Sequence, residues 1–244
     1  MGAEQQSDTN AAIWKSDEIA ATWAAQAAER ERNHGAQWRL MAELLPFGAE
    51  AEVTFLDLGA GTGAASRAIL ERHPRSSAVL ADFSPEMMGA GEAELRPFAG
   101  RYRYVEFDLL SGAWPTAIPA AVDAVVTSLC VHHLPDERKR SLFGEIASRL
   151  RPGGWYLNYD PVRAEDPVVA AAWSRLTDQE NPDAVRRRLH PTADEQARWE
   201  NHVRYISPLD VQLDYLRSAG FGAVEVWWKR LDYAIFGGYR PTPP

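Results

Sequence analysis

The sequence predicts a single α/β domain built on a mostly parallel sheet. Three observations carry that prediction. Short apolar runs alternate with helical segments through the first two thirds of the chain, the pattern of strands joined by helical crossovers. The first such run ends in a glycine-rich turn, and the tail holds two short strand-like runs in direct succession.

In order along the chain, residues 11–45 read as two short helices. Trp14, Ile19, Trp23, Ala27, Trp38, Leu40, Met41 and Leu44 recur at approximately helical spacing, with a break expected near Asn33-His34-Gly35. Residues 53–58 form an apolar run ending in glycines, and 64–73 has helical character until Pro74 stops it. Strand, turn and helix then repeat, with 78–81 as strand, 85–94 as helix, 102–107 as strand and 121–129 as strand. Residues 135–150 place Leu142, Phe143, Ile146 and Leu150 on one helical face. Arg151-Pro152-Gly153-Gly154 is expected to end that helix before a strand over 155–159. The helical, highly charged stretch 160–207 reads as an insertion over the sheet, and 208–219 as a last helix ended by Gly220. Residues 224–228 and 231–236 are expected to be two strands joined tightly at Lys229-Arg230, closing the sheet in a hairpin. The whole of 1–244 is thus one domain, with 1–50 as an N-terminal helical cap and 160–207 as the insertion over the active site.

Bulk composition narrows the function. Hydrophobic content of 45% with 25% charged residues is that of a folded globular chain. A net charge of −8 and a pI near 5.3 repel a phosphate backbone at long range, so a small molecule is the expected substrate and nucleic acid is not. With Cys130 the only cysteine, the chain can form neither an internal disulfide nor a cysteine-based zinc site, and no metal is expected. No run approaches the ~18 to 20 apolar residues of a membrane span. A cytoplasmic protein, monomer or homodimer, is the resulting expectation.

The chemistry begins at Leu56-Asp57-Leu58-Gly59-Ala60-Gly61-Thr62-Gly63. A glycine turn between strand and helix lets backbone approach a ligand where a side chain would clash, with a helix N-terminus nearby. Gly59, Gly61 and Ala64 also satisfy the G-x-G-x-x-G/A dinucleotide pattern, so an NAD-dependent oxidoreductase is the rival from another class. Asp57 weighs against it. A carboxylate inside a strand is costly to bury unless a cation or donors answer it, and a ligand bearing a primary ammonium would help to do so. Asp82, closing the second strand, can accept from both hydroxyls of a ribose. Asp108 follows the third strand, where it can accept from an adenine amino group while the next backbone N–H meets a ring nitrogen.

With these acids in place the sequence resembles the class I S-adenosylmethionine-dependent methyltransferases. The resemblance rests on the glycine turn, on Asp82 with Phe83-Ser84-Pro85-Glu86-Met87-Met88, and on Phe107-Asp108-Leu109. It continues through Val131-His132-His133-Leu134-Pro135, Leu150-Arg151-Pro152-Gly153-Gly154 and Ala219-Gly220-Phe221. It implies a Rossmann-like, seven-stranded, mostly parallel sheet of order 3-2-1-4-5-7-6, with strand 7 antiparallel and helices on both faces. It also implies S-adenosylmethionine as cofactor, bound by Asp57, Gly59, Ala60, Gly61, Asp82, Phe83, Met87, Asp108, Leu109 and Ser128. The implied reaction is transfer of a methyl group to a nitrogen or oxygen of a small molecule. The layout is nearest to a branch holding both small-molecule methyltransferases and tRNA wobble-uridine carboxymethyl enzymes. Those carboxymethyl enzymes use an arginine in the insertion, where this sequence has Ala197 beside Arg198, which argues against carboxymethyl transfer. Cyclisation of the cofactor itself, releasing methylthioadenosine, is a further alternative.

His132, His133, Tyr159 and Asp160 follow or end strands 4 and 5 and are the catalytic candidates, the histidines as bases and Asp160 as an amine partner or a solvated turn residue. The competing reading of the His-His-Leu-Pro corner is structural. Trp14, Trp23 and Trp38 are candidates for an aromatic lid over the sulfonium, or simply pack amphipathic helices onto the core. Trp199, His202, Arg204 and Tyr205 are candidates for the substrate side. Arg186-Arg187-Arg188 is read as a solvated charge run.

Overall fold

The computed structural model describes residues 25–48, 50–180, 185, 191 and 193–242. Among these residues the first element is a helix α1 (Ala27–Leu44), followed by β1 (Thr54–Leu58), α2 (Ala64–Arg72), β2 (Ser77–Asp82), α3 (Pro85–Glu94) and β3 (Tyr102–Glu106). Then come β4 (Val122–Ser128), α4 (Asp136–Arg149), β5 (Leu150–Pro161), α5 (Pro167–Glu180), α6 (Ala193–Val203), α7 (Leu209–Ser218), β6 (Gly222–Arg230) and β7 (Tyr233–Tyr239). The strands form one seven-stranded sheet of order β3-β2-β1-β4-β5-β7-β6. β7 runs antiparallel to both neighbours, and the remaining pairs are parallel. This is the expected order and the expected antiparallel strand.

The sheet buries apolar residues on both faces, as parallel sheets do. In β1, Leu56 and Leu58 join a core with Val79, Val125, Phe143 and Phe236. Phe55 points the other way, into a core with Ile69, Leu80, Met41 and Trp38. The period of two therefore turns Asp57 onto the face covered by α1 and α2. Chain order reverses between β1 and β4, and ligands of such sheets bind outside the carboxyl ends of the strands at that reversal. The register places Leu58 beside Ala81 and Thr127, and Ser128 beside Tyr159, so these strands end together there.

Three expected boundaries differ. α1 is continuous where a break was expected at Asn33-His34-Gly35. Gly35 lies under the Glu31 side chain, which bonds Arg39 and Arg67 at 2.5 and 2.7 Å. Burial of Gly35, Trp38, Met41 and Ala42 against the sheet outweighs the ~1 kcal/mol helix penalty of one glycine. β5 begins at Leu150 and runs through Arg151-Pro152-Gly153-Gly154, because Gly153 N–H donates to the Arg240 carbonyl and Arg240 N–H to that of Gly154. The hairpin turns at Leu231-Asp232, with Leu231 at φ 49°, while Lys229 and Arg230 still pair with Ala234 and Tyr233. Trp14, Trp23 and Arg186–Arg188 lie outside the described residues. Among the described residues no helix is long and apolar enough to cross a membrane.

Candidate active site

A crevice of about 970 Å³, open solvent included, lies at the sheet's reversal point. Its floor is the β1–α2 turn. Gly59 has φ +66°, and a Cβ there would fall 1.9 Å from the Cys130 sulfur. Only glycine provides both the conformation and the clearance. Gly61, at φ +53°, donates its N–H to Asp82 Oδ2 at 2.7 Å, while Asp82 Oδ1 accepts from Ser84 N–H at 2.9 Å. The acid that ends β2 thus holds the glycine turn in place and still presents lone pairs to the crevice. Ser84 caps α3 by accepting from Met87 N–H, which sets Met87 against the same floor.

Asp57 is buried, and its Oδ2 accepts from the Ser66 hydroxyl of α2 at 2.7 Å. Its Oδ1 has no hydrogen-bond partner, although it belongs to a residue lining the crevice. Burial pushes this carboxyl up to about 7, only partly opposed by Ser66. An orphaned acceptor in that position is what a ligand ammonium would satisfy, so the residues present fit the amino-acid end of the expected cofactor. Burial raises Asp82 as well. At the far wall Asp108 Oδ1 accepts from Leu110 N–H at 2.9 Å, fixing the turn beside Phe107 and Leu109.

All ten residues expected to hold the cofactor line this one crevice. The catalytic candidates divide. His133 lines it, and His132, Tyr159 and Asp160 do not. Asp160 is neither solvated nor in a turn. It is fully buried within β5, and its oxygens accept from His132 N–H and contact His132 Nδ1, both at 2.7 Å. Tyr159 faces α1, its hydroxyl 2.9 Å from His34 Nδ1 and its ring near Tyr233 and Trp228. Of the aromatic candidates, Trp38 lines the crevice and donates Nε1–H to Ser128 Oγ at 2.8 Å. Trp199 is about half exposed beside His202, and Arg204 stacks over Tyr205, neither of these two lining the crevice. His202 reaches inward from α6 to within 3.1 Å of His132 Nε2.

Arg30 was missed by sequence reasoning. It lines the crevice, and desolvation lowers it to about 10 against the pull of Glu94 and Glu29. Arg30, His34 and Trp38 stand at i, i+4 and i+8, one helical face, so extending the Trp38 stripe backwards would have found it. Leu129 also escaped notice. Its φ of 54° is a conformation that costs a non-glycine residue about 1 kcal/mol or more. It is held by donation to the Tyr159 carbonyl at 2.8 Å and lines the crevice wall.

Fold and crevice together are similar to those of the class I, Rossmann-like S-adenosylmethionine-dependent methyltransferases. Residues 56–156 match the family described as "Methyltransferase domain". Trans-aconitate 2-methyltransferase of Azoarcus sp. (strain BH72) is 29% identical over 144 residues, 49% of this chain and 53% of that protein. Carboxy-S-adenosyl-L-methionine synthase of Ectopseudomonas mendocina (strain ymp) is 25% identical over 209 residues, 76% of each chain. Among solved structures, human N-acetylserotonin methyltransferase in complex with SAM superposes at a TM-score of 0.63, with 18% identity over 95% of this chain and 59% of that one. The chain spans about half or less of the length of the first curated relatives it matches.

Proposed function

We propose that the chain transfers a methyl group from S-adenosylmethionine to a nitrogen or oxygen of a small molecule. The observation that carries the proposal is the unpartnered Oδ1 of buried Asp57 on the crevice floor, backed by Asp82 one strand away. In this reading Asp57 receives the cofactor's ammonium and Arg30 its carboxylate. Asp82 accepts from the ribose hydroxyls, and Asp108 with Leu109 meets the adenine. S-adenosylmethionine, when bound, supplies an electrophilic methyl group on a sulfonium. The protein's contribution is to position that group and keep water away, with Trp38, Leu129 and Leu134 as apolar wall. His133 is the candidate to receive the acceptor's proton, since burial holds it well below its usual range and hence neutral. The acceptor in this reading is a small molecule and not nucleic acid, from the net charge of −8.

A second reading is favoured by the relative matched over 209 residues, a carboxy-S-adenosyl-L-methionine synthase. In that case the chain remakes the cofactor and leaves its methyl group unspent. One experiment separates the readings. The protein is incubated with S-adenosylmethionine and a panel of small hydroxy, carboxy and amino compounds, and the nucleoside products are weighed by mass spectrometry. Acceptor-dependent S-adenosylhomocysteine is expected. Methylthioadenosine, or a cofactor gaining the mass of a carboxyl group, overturns methyl transfer.

A further inference from the structure

The three histidines beside the crevice come from two distant parts of the chain. His132 and His133 lie in a 3-10 turn (Val131–His133) after β4, and His202 lies near the end of α6. One ring nitrogen from each lies within 4.8 Å of the other two, and the His132 Nε2 to His202 Nδ1 separation is already 3.1 Å. In a tetrahedral site with bonds of ~2.0 to 2.1 Å, neighbouring nitrogens stand roughly 3.3 Å apart. One edge of the triangle is therefore close to the required length, and the other two are no longer than 4.8 Å.

The surroundings suit coordination. Asp160 faces His132 Nδ1 at 2.7 Å and accepts from the same residue's backbone N–H. A carboxylate taking the Nδ1 proton directs the Nε2 lone pair towards His202, the outer-shell arrangement found behind metal-bound imidazoles. His133 lines the crevice, so a cation on the triad would sit beside the open space and keep a position free towards it. Three protein nitrogens and one open position is the pattern of reactive, as opposed to purely structural, zinc sites.

We infer that His132, His133 and His202 form a binding site for a divalent cation of the imidazole-preferring kind, Zn²⁺ or Co²⁺, on the acceptor side of the crevice. Imidazole nitrogens select such ions over Mg²⁺ and Ca²⁺, which take oxygen ligands. The inference is independent of the methyl-transfer reading, because binding is measured without cofactor; a bound cation would take up the His133 lone pair, so in the loaded protein His133 is a ligand and not the proton acceptor.

Tag-free protein, dialysed against a chelator, is titrated with Zn²⁺ by calorimetry and with Co²⁺ by visible absorption. One equivalent per chain is expected, with the intense bands of four-coordinate Co²⁺. His202→Gln and His133→Ala should each remove the saturable binding, and Asp160→Asn should weaken it about 10- to 100-fold. His202 is the safer variant, being only partly buried on a helix outside the sheet, and an unchanged unfolding transition in chelator verifies its fold. Zn²⁺ should raise the melting temperature of the parent chain and not that of His202→Gln. Absence of one-to-one binding overturns the site and leaves a hydrogen-bonded histidine chain. Binding unchanged in both histidine variants overturns it equally.

Discussion

The two halves of the crevice are built in different ways. The cofactor half is made of backbone turns and acids at strand ends, and its key contacts are short in sequence: Ser66 to Asp57 spans 9 residues and Gly61 to Asp82 spans 21. The other half is backed by side chains brought together from afar, most of them behind the crevice wall and not on it. His202 to His132 spans 70 residues, Trp38 to Ser128 spans 90 and His34 to Tyr159 spans 125. A half whose geometry follows from local turns can be retained while the other half is rebuilt, which suits a fold that keeps one cofactor and changes acceptors.

That difference also governs how much was legible in the sequence. The glycines had to be glycines, since Gly59 combines positive φ with a side chain of Cys130 where its Cβ would be, and the acids had to end strands. Sheet order and the antiparallel β7 came from the resemblance, not from periodicity, which cannot rank strands in space. On the acceptor side no local rule announces that Asp160 will be consumed by His132, or that His202 will reach back to the same turn. Those pairings depend on how α6 packs. The false break at Gly35 has the same origin, tertiary burial overriding local propensity.

The largest effect is expected in the cofactor half. Asp82→Ala removes the acceptor for Gly61 N–H and Ser84 N–H together with the proposed ribose contact. Hydrogen bonds to charged groups contribute ~1.5 to 3 kcal/mol each, so S-adenosylhomocysteine affinity should fall about 100-fold or more in titration calorimetry. Unchanged affinity would remove Asp82 from the site and with it the claim that this half alone defines the cofactor.

Asp57 should show a pH signature of its own. Its carboxyl is raised from 3.8 to about 7 by burial. Because the folded state holds the proton more tightly than the unfolded chain, the stability linked to Asp57 is fully present below about pH 4 and is lost as pH rises through 7. In the unliganded protein Asp57→Asn should therefore gain melting temperature relative to the parent chain between pH 5 and pH 8. Cofactor affinity should run the other way. Ionised Asp57 attracts the ammonium, so the parent chain should bind S-adenosylhomocysteine more tightly at pH 8 than at pH 6, and Asp57→Asn should bind it weakly at both. Parallel pH profiles in the two proteins would break the assignment.

Trp38→Phe is the mildest change and probes the seam between the halves. Phenylalanine keeps an aromatic ring against Met41, Ile69 and Leu80 in the α1-side core but cannot donate to Ser128 Oγ, 2.8 Å away. One neutral hydrogen bond contributes ~1 kcal/mol, a factor of about five in an equilibrium constant. If α1 serves only as a wall, stability should fall by that amount while S-adenosylhomocysteine affinity stays put. If α1 also holds Ser128 in the pose that meets the cofactor, affinity should drop by a similar factor and acceptor-dependent turnover with it. We expect the second outcome, because Ser128 ends β4 at the reversal point and Arg30, on the same face of α1, lines the crevice beside the glycine turn. Cofactor affinity unaltered at reduced stability would show instead that the two halves are energetically separate, with α1 belonging wholly to the acceptor side.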